Sequence, residues 1–341
     1  MTEDKIATDI EGEARDDSKK LHVAIYKRTS GLSIDHDNFE VLLPTLDKII
    51  GRPDFDPANM IAIGGGGIVE NALDGTPGAL LYASYPNFDN TGWIVSSKSH
   101  IKRSPHTLTA YVIGLGIDGM TRSQLFRNVR VFTEESGVPI TNINFPVKAK
   151  LPPYKDSGLY IVGGGFRIEW DEGVGVPGVL ATASIPHISY EDDNHILHKA
   201  EPGWEVRAKY HIFPCKANLT AYIICIHEYL YVTEAGSEPI YKGRLNRSYK
   251  HSKGKWWSRH PEETAHLEHG YVITGGGGIA HLEGIEPRQG QMLWKLVPWI
   301  SSSPEGCFQG FTASSTDHII EHQCTIDAHV LGIRMEANQP F

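Results

Sequence analysis

The sequence predicts an all-β protein assembled from three copies of one unit. Three observations predict it. Four short signatures recur three times in one order. Glycine is abundant, at 35 in 341 residues. The recurring segments are short β-rich runs bounded by turn residues.

The first signature is a β-run that ends in glycines: "IAIGGGGIV" from Ile61, "YIVGGGFRI" from Tyr160 and "YVITGGGGIA" from Tyr271. Glycines inside a strand have nothing to pack, so they predict a bulge or a place where another backbone or a ligand comes close. The second is a strand that ends at proline: "ALLYASYP" to Pro86, "VLATASIP" to Pro186 and "LWKLVP" to Pro298. The third runs from glycine and an aromatic to histidine without a gap: "GWIVSSKSH" to His100, "GWEVRAKYH" to His211 and "GFTASSTDH" to His318. Period-2 alternation puts Trp93, Val95, Ser97 and Ser99 on one face and His100 on the other. The fourth is "LTAYVIGLGI" from Leu108, "LTAYIICI" from Leu219 and "IDAHVLGI" from Ile326. Both faces of this strand are apolar or aromatic, which predicts cover on both sides.

A further short strand is expected before each copy, at "HVAIYKRTS" from His22, "VRVFTEESG" from Val129 and "YLYVTEAGS" from Tyr229. Irregular connectors follow these strands. In the first, "PTLDKIIG" has proline in its first turn and glycine at its end, which predicts a short helix. One strand-rich unit of this size buries little, whereas three around a pseudo-threefold axis share one core. Mainly four-stranded units favour a β-prism-like architecture; the alternatives are a β-trefoil-like or a new threefold β architecture. The expected organisation is a disordered acidic tail over 1–20 and one compact domain of three β-repeats, 21–120, 121–228 and 229–341.

The formal net charge of -9 argues against nucleic acid or anionic lipid as the main partner. No apolar run approaches the roughly 20 residues of a membrane-spanning helix. The first residues lack a basic-then-apolar signal peptide, so the expected location is cytoplasmic, or outside the cell after release without a standard signal peptide. Four cysteines (Cys215, Cys225, Cys307 and Cys324) are then expected as reduced thiols. No Walker loop, dinucleotide fingerprint, G-x-S-x-G or paired-cysteine zinc motif is present.

With "GGG…SYP…GW…SKSH…SPHTLTAYVIGLGI" in view, the chain resembles a β-repeat of mostly uncharacterised bacterial and fungal proteins. The first copy, Ile61 to Ile117, carries the likeness best. The second has an insertion after Pro186, and the third has Phe311 for the tryptophan and His329 for the tyrosine. The resemblance implies a β fold and brings no activity with it. A local echo, "GGGFRIEWDEG" from Gly163, is similar to the glycine-rich turn of jacalin-type lectins, which are β-prisms.

Two sets of residues are candidates for chemistry. Asp74, Glu172 and Glu283 each precede a glycine after the glycine run. A carboxylate accepts from two hydroxyls while glycine amides donate, which suits a sugar; Tyr82, Trp170 and Trp294 offer ring faces for stacking. The competing reading of the acids is plain turn chemistry. His100, His211 and His318 form the second set. If they converge on an axis, three imidazoles suit a transition metal (Zn, Cu, Ni or Fe) with open coordination positions; if they do not, they are strand-end residues copied with the unit. The insertion "HISYEDDNHILHKAEPG" and the connector "KHSKGKWWSRHPEETAHLEHG" are dense in histidine, acid or tryptophan, and read as a solvated loop and as a core anchor or partner surface. The symmetric plan favours a lectin-like protein, part of a toxin or recognition system, with a glycan or small molecule as partner. The alternative is a metal-dependent enzyme in which His329, replacing the tyrosine of the other copies, breaks the symmetry.

Overall fold

The computed structural model describes residues 8–44, 56–71, 78–99, 103–138, 140, 145–151, 158–170, 178–191, 197–198, 200–210, 216–232, 238–282, 290–304, 306–317 and 321–336. It is all-β, with three large antiparallel sheets. Sheet I runs β1 (Asp9–Arg15), β2 (Leu21–Thr29), β7 (His106–Ile117), β4 (Ile61–Asn71), β20 (Met292–Ser303), β21 (Gly306–Thr316), β18 (Glu262–His266). Sheet II runs β3 (Asp35–Leu42), β6 (Gly92–Ser99), β5 (Ala79–Pro86), β10 (Leu159–Trp170), β15 (Ala217–His227), β8 (Val129–Glu135). Sheet III runs β16 (Tyr229–Val232), β17 (Ile240–Ser252), β22 (Ile326–Met335), β19 (Val272–Ala280), β11 (Val179–His187), β14 (Gly203–Tyr210), β9 (Phe145–Lys150). A small hairpin, β12 (Tyr190–Glu191) with β13 (Leu197–His198), lies within the insertion, and a short helix, α1 (Arg122–Phe126), is closed by a capping box from Thr121 and Gln124.

The four signature strands of a copy do not stay together. β4 and β7 of the first copy lie in sheet I, and β5 and β6 in sheet II. The second copy gives β10 and β15 to sheet II and β11 and β14 to sheet III. The third gives β19 and β22 to sheet III and β20 and β21 to sheet I. Every sheet is therefore completed by a hairpin from another copy. The joins are short and alike: Leu296 opposite Gly67, Ser84 opposite Phe166, and Ser184 opposite Gly278.

The glycine runs sit where the sheets meet. Each run is bulged, at Ala62/Gly64, Ile161/Gly163 and Ile273/Gly275. A Cβ on Gly64 would collide with the Thr274 carbonyl, one on Gly163 with the Ile63 carbonyl, and one on Gly275 would crowd the Val162 carbonyl. The three glycine strands thus touch one another in a closed ring, backbone against backbone, which no side chain permits. The next residue in each run, Gly65, Gly164 or Gly276, lies under the ring of Trp93, Trp204 or Phe311. The signature aromatic therefore covers its own copy's glycines. Trp93 and Trp204 are buried and donate through Nε1 to Ser84 and Ser184, each at 2.9 Å. In the third copy Phe311 has no N–H, and the position equivalent to Ser84 and Ser184, two residues before the proline and paired with Ala313, is Leu296 instead of serine. The two changes belong together: a serine there would have lost its partner. One apolar cluster spans strands of all three sheets, and β7 is buried along almost its whole length, as two-sided cover requires.

Several expectations are corrected. The four strands expected of each unit are present but divided between two sheets, and the sheets have seven, six and seven strands. The added edges β3, β9 and β18 come from connectors read as irregular. The strand that leads the third copy is β17, because it is β17 that pairs with β22; the expected segment at Tyr229 forms β16, its outer mate. Part of the presumed tail is ordered: β1 pairs with β2, and Asp16 is buried, accepting from the amides of Leu21 and Met335. The helix expected at "PTLDKIIG" lies, beyond Pro44, outside the described residues. No helix among the described residues is long and apolar enough to cross a membrane.

Candidate functional site

Of the residues expected to bind a ligand, Tyr82 and Trp170 are brought together. They come from different copies and meet in sheet II because β5 of the first pairs with β10 of the second. Their ring centroids are 4.7 Å apart and tilted by 54°. Tyr82 is the extra residue of a bulge between Leu81 and Ala83, which turns its side chain out of the regular alternation. Trp170 is the last residue of β10.

Two further groups complete the cluster. The Lys98 ammonium lies 4.7 Å from the Trp170 ring centroid, a cation–π contact, and Lys98 is buried. Asp37 accepts the Tyr82 hydroxyl at 2.8 Å. It stands on β3 beside a bulge between His36 and Phe39, where Asn38 takes a positive φ of 48°. Asn38 in turn accepts from the Tyr85 hydroxyl at 3.2 Å. Burial, and then the hydrogen bond to Asp37, pushes the Tyr82 phenol well above its ordinary value, so it stays a neutral donor. The Trp170 Nε1 is buried and has no hydrogen-bond partner among the described residues. Cation, carboxylate, phenol and an unpaired indole N–H therefore converge beside two ring faces. That set suits a ligand with an apolar face and several hydroxyls. Along the same sheet, Tyr85 stacks on Tyr222 at 5.1 Å, with Arg167 at 5.6 Å from the Tyr85 ring.

Trp294 is not part of this cluster. It holds the corresponding bulge position, between Leu293 and Lys295, but in sheet I. It packs against the main core, and its Nε1 is buried without a hydrogen-bond partner among the described residues. Asp74, Glu172 and Glu283 lie outside the described residues, as do His100, His211 and His318. The strands that lead to the three histidines, β6, β14 and β21, belong to three different sheets. Among the described residues no group of three or more His, Cys, Asp or Glu is placed to hold a metal ion.

Lys98 was not among the expected residues, yet the sequence carries a signal for it. "KSH" and "KYH" place a lysine two residues before the repeated histidine in the first two copies. The counterpart in the second copy, Lys209, is fully buried in sheet III, and burial pushes its ammonium down to about 8. A scan against protein-family models gives no match, and a search of curated proteins gives none.

Proposed function

We propose that this chain is a lectin-like binding protein that holds a glycan or similar polyhydroxylated ligand at the Tyr82–Trp170 cluster. The observation that carries this reading is the meeting of the two aromatics, 4.7 Å apart, with Lys98 and Asp37 against them. Trp170 offers a ring face and an unpaired N–H. Glu172, two residues further along, is the acid expected to accept sugar hydroxyls, and Asp74 and Glu283 are its counterparts in the other copies. We further read the architecture as a pseudo-threefold β-prism-like assembly. The closed ring of glycine contacts and the regular exchange of hairpins support that reading. Repeated sites on such a frame gain avidity without new contacts.

The test is a glycan array with the intact chain and Trp170→Ala. Binding by the parent, lost or weakened at least tenfold in the variant, supports the assignment. Equal binding by both would remove Trp170 from the site, and no glycan binding by the parent would sink the reading.

A further inference from the structure

Two of the features that make the copies unequal fall on one sheet. The second copy's insertion follows β11, and the third copy's exchange of tyrosine for histidine lies on β22; both strands belong to sheet III. Two cross-strand rows run over it. One row is Asp327, Ile279, Ala183, Arg207, and the other includes His251, His329 and Gly277. Ile185, the residue after Ser184, pairs with Glu205 on the far side.

The chemistry of this face differs from that of the other two sheets. His329 is 7% exposed, and its Nδ1 is 2.8 Å from the Tyr249 hydroxyl. Its Nε2 is buried and has no hydrogen-bond partner among the described residues. Burial, then the neighbouring His251, pushes its pKa down to about 3, so the ring is neutral. When the Tyr249 hydroxyl donates to Nδ1, the ring proton sits on Nε2, a buried donor without an acceptor. The rings of Tyr249, His251 and His329 lie 5.9 to 6.1 Å apart and within 21° of parallel. Beside them Ala183, Ile185 and Ile279 form an apolar cluster separate from the main core. Two carboxylates flank the face, each 2.9 Å from a histidine: Asp327 with His281, and Glu205 with His187.

We propose that this face of sheet III is a second binding site, for a neutral polyhydroxylated ring such as a monosaccharide, with His329 Nε2 as a donor to a ligand oxygen. Near-parallel rings and a small apolar patch receive the C–H face of a sugar. Imidazole donors and carboxylate acceptors meet its hydroxyls. An anionic ligand is disfavoured at the Asp327 end of the face, and at the other end the Arg207 guanidinium is already paired with Glu205. The choice of ligand class rests on the lectin-like reading above, but the residues are separate from the Tyr82–Trp170 cluster.

The test follows the His329 ring by ¹⁵N-detected NMR on the full chain. The probes are methyl glycosides of glucose, galactose, mannose, fucose and N-acetylglucosamine, with inorganic phosphate as the anion control. The expected result is a saturable shift of His329 Nε2 with at least one glycoside and none with phosphate. His329→Tyr restores the residue found at Tyr111 and Tyr222 and, read by calorimetric titration of the same glycoside, should weaken its binding about tenfold. Asp327→Asn is a second probe should His329→Tyr not fold. Trp170→Ala should leave the His329 shift unchanged. A shift with phosphate alone, no shift with any probe, or a shift abolished by Trp170→Ala each overturns the proposal. If no probe moves His329 while the array still shows Trp170-dependent binding, only this second site fails and the earlier reading stands.

Discussion

Two sets of equivalent positions behave in opposite ways. Where the glycine strands meet, the copies carry Gly64, Gly163 and Gly275 without variation. On the strand next to them, they carry Tyr111, Tyr222 and His329, opposite Gly66, Gly165 and Gly277. The first set touches backbone from a different sheet, so any added atom must displace a strand. The second set is free of that constraint and has diverged. The copies share what the packing demands and differ where it makes no such demand. Because every sheet is built from two copies, a change in one copy meets the unchanged strands of another, and sheet III combines the altered parts of two.

The comparison breaks first at the glycines. Gly163→Val drives a side chain into the Ile63 carbonyl and should cost about 3 kcal/mol or more, read as loss of soluble, cooperatively unfolding protein. Gly31→Ala is the control: nothing lies within 4 Å of its Cβ, and the change should stay within about 0.5 kcal/mol. If the two variants melt alike, the glycine ring is not what holds the sheets.

The aromatic lids sharpen it. Trp204→Ala should cost about 4 kcal/mol in denaturant unfolding, since it empties a buried site over Gly164. Trp204→Phe alone leaves Ser184 without its donor; adding Ser184→Leu recreates the Phe311–Leu296 arrangement of the third copy. A double-mutant cycle should show favourable coupling of about 1 kcal/mol. Additive effects would mean that the third copy's two changes are unrelated.

A smaller effect should appear in acid. Burial alone would raise the Glu205 carboxyl, but hydrogen bonds from His187 and Arg207 outweigh it and pull the group down to about 2 from an ordinary 4.5. A carboxylate held low in the fold stabilises it above about pH 4.5, and that contribution fades as the pH falls towards 2. Glu205→Gln should therefore lower unfolding stability at pH 6 by at most about 3 kcal/mol, and the gap to the parent should close as the pH approaches 2. A gap that stays constant with pH would mean that the ion pairs contribute little.

Much of the β-structure was legible because the signatures alternate and repeat. "LTAYVIG" announces a strand covered on both sides, and the bulge at Gly64 follows from glycines inside a strand. The exchange of hairpins was not legible. It depends on pairings such as Ser84 with Phe166, far apart in sequence, and no local pattern encodes them. The edge strands β3, β9 and β18 were missed for a related reason. "DHDNFEVL", "FPVKAK" and "EETAH" are polar or carry proline, as befits strands with one unpaired side. Tyr82 and Trp170 were legible as ring faces. That they share a site depends on the same exchange, and so does the place of Lys98.

The most direct measurement is a glycan array on the intact chain, followed by calorimetric titration of the strongest hit into the parent, Trp170→Ala and His329→Tyr. The account predicts binding by the parent, at least a tenfold loss in Trp170→Ala, and a fold retained in both variants. No glycan bound above background, or a hit whose affinity neither substitution changes, would contradict it.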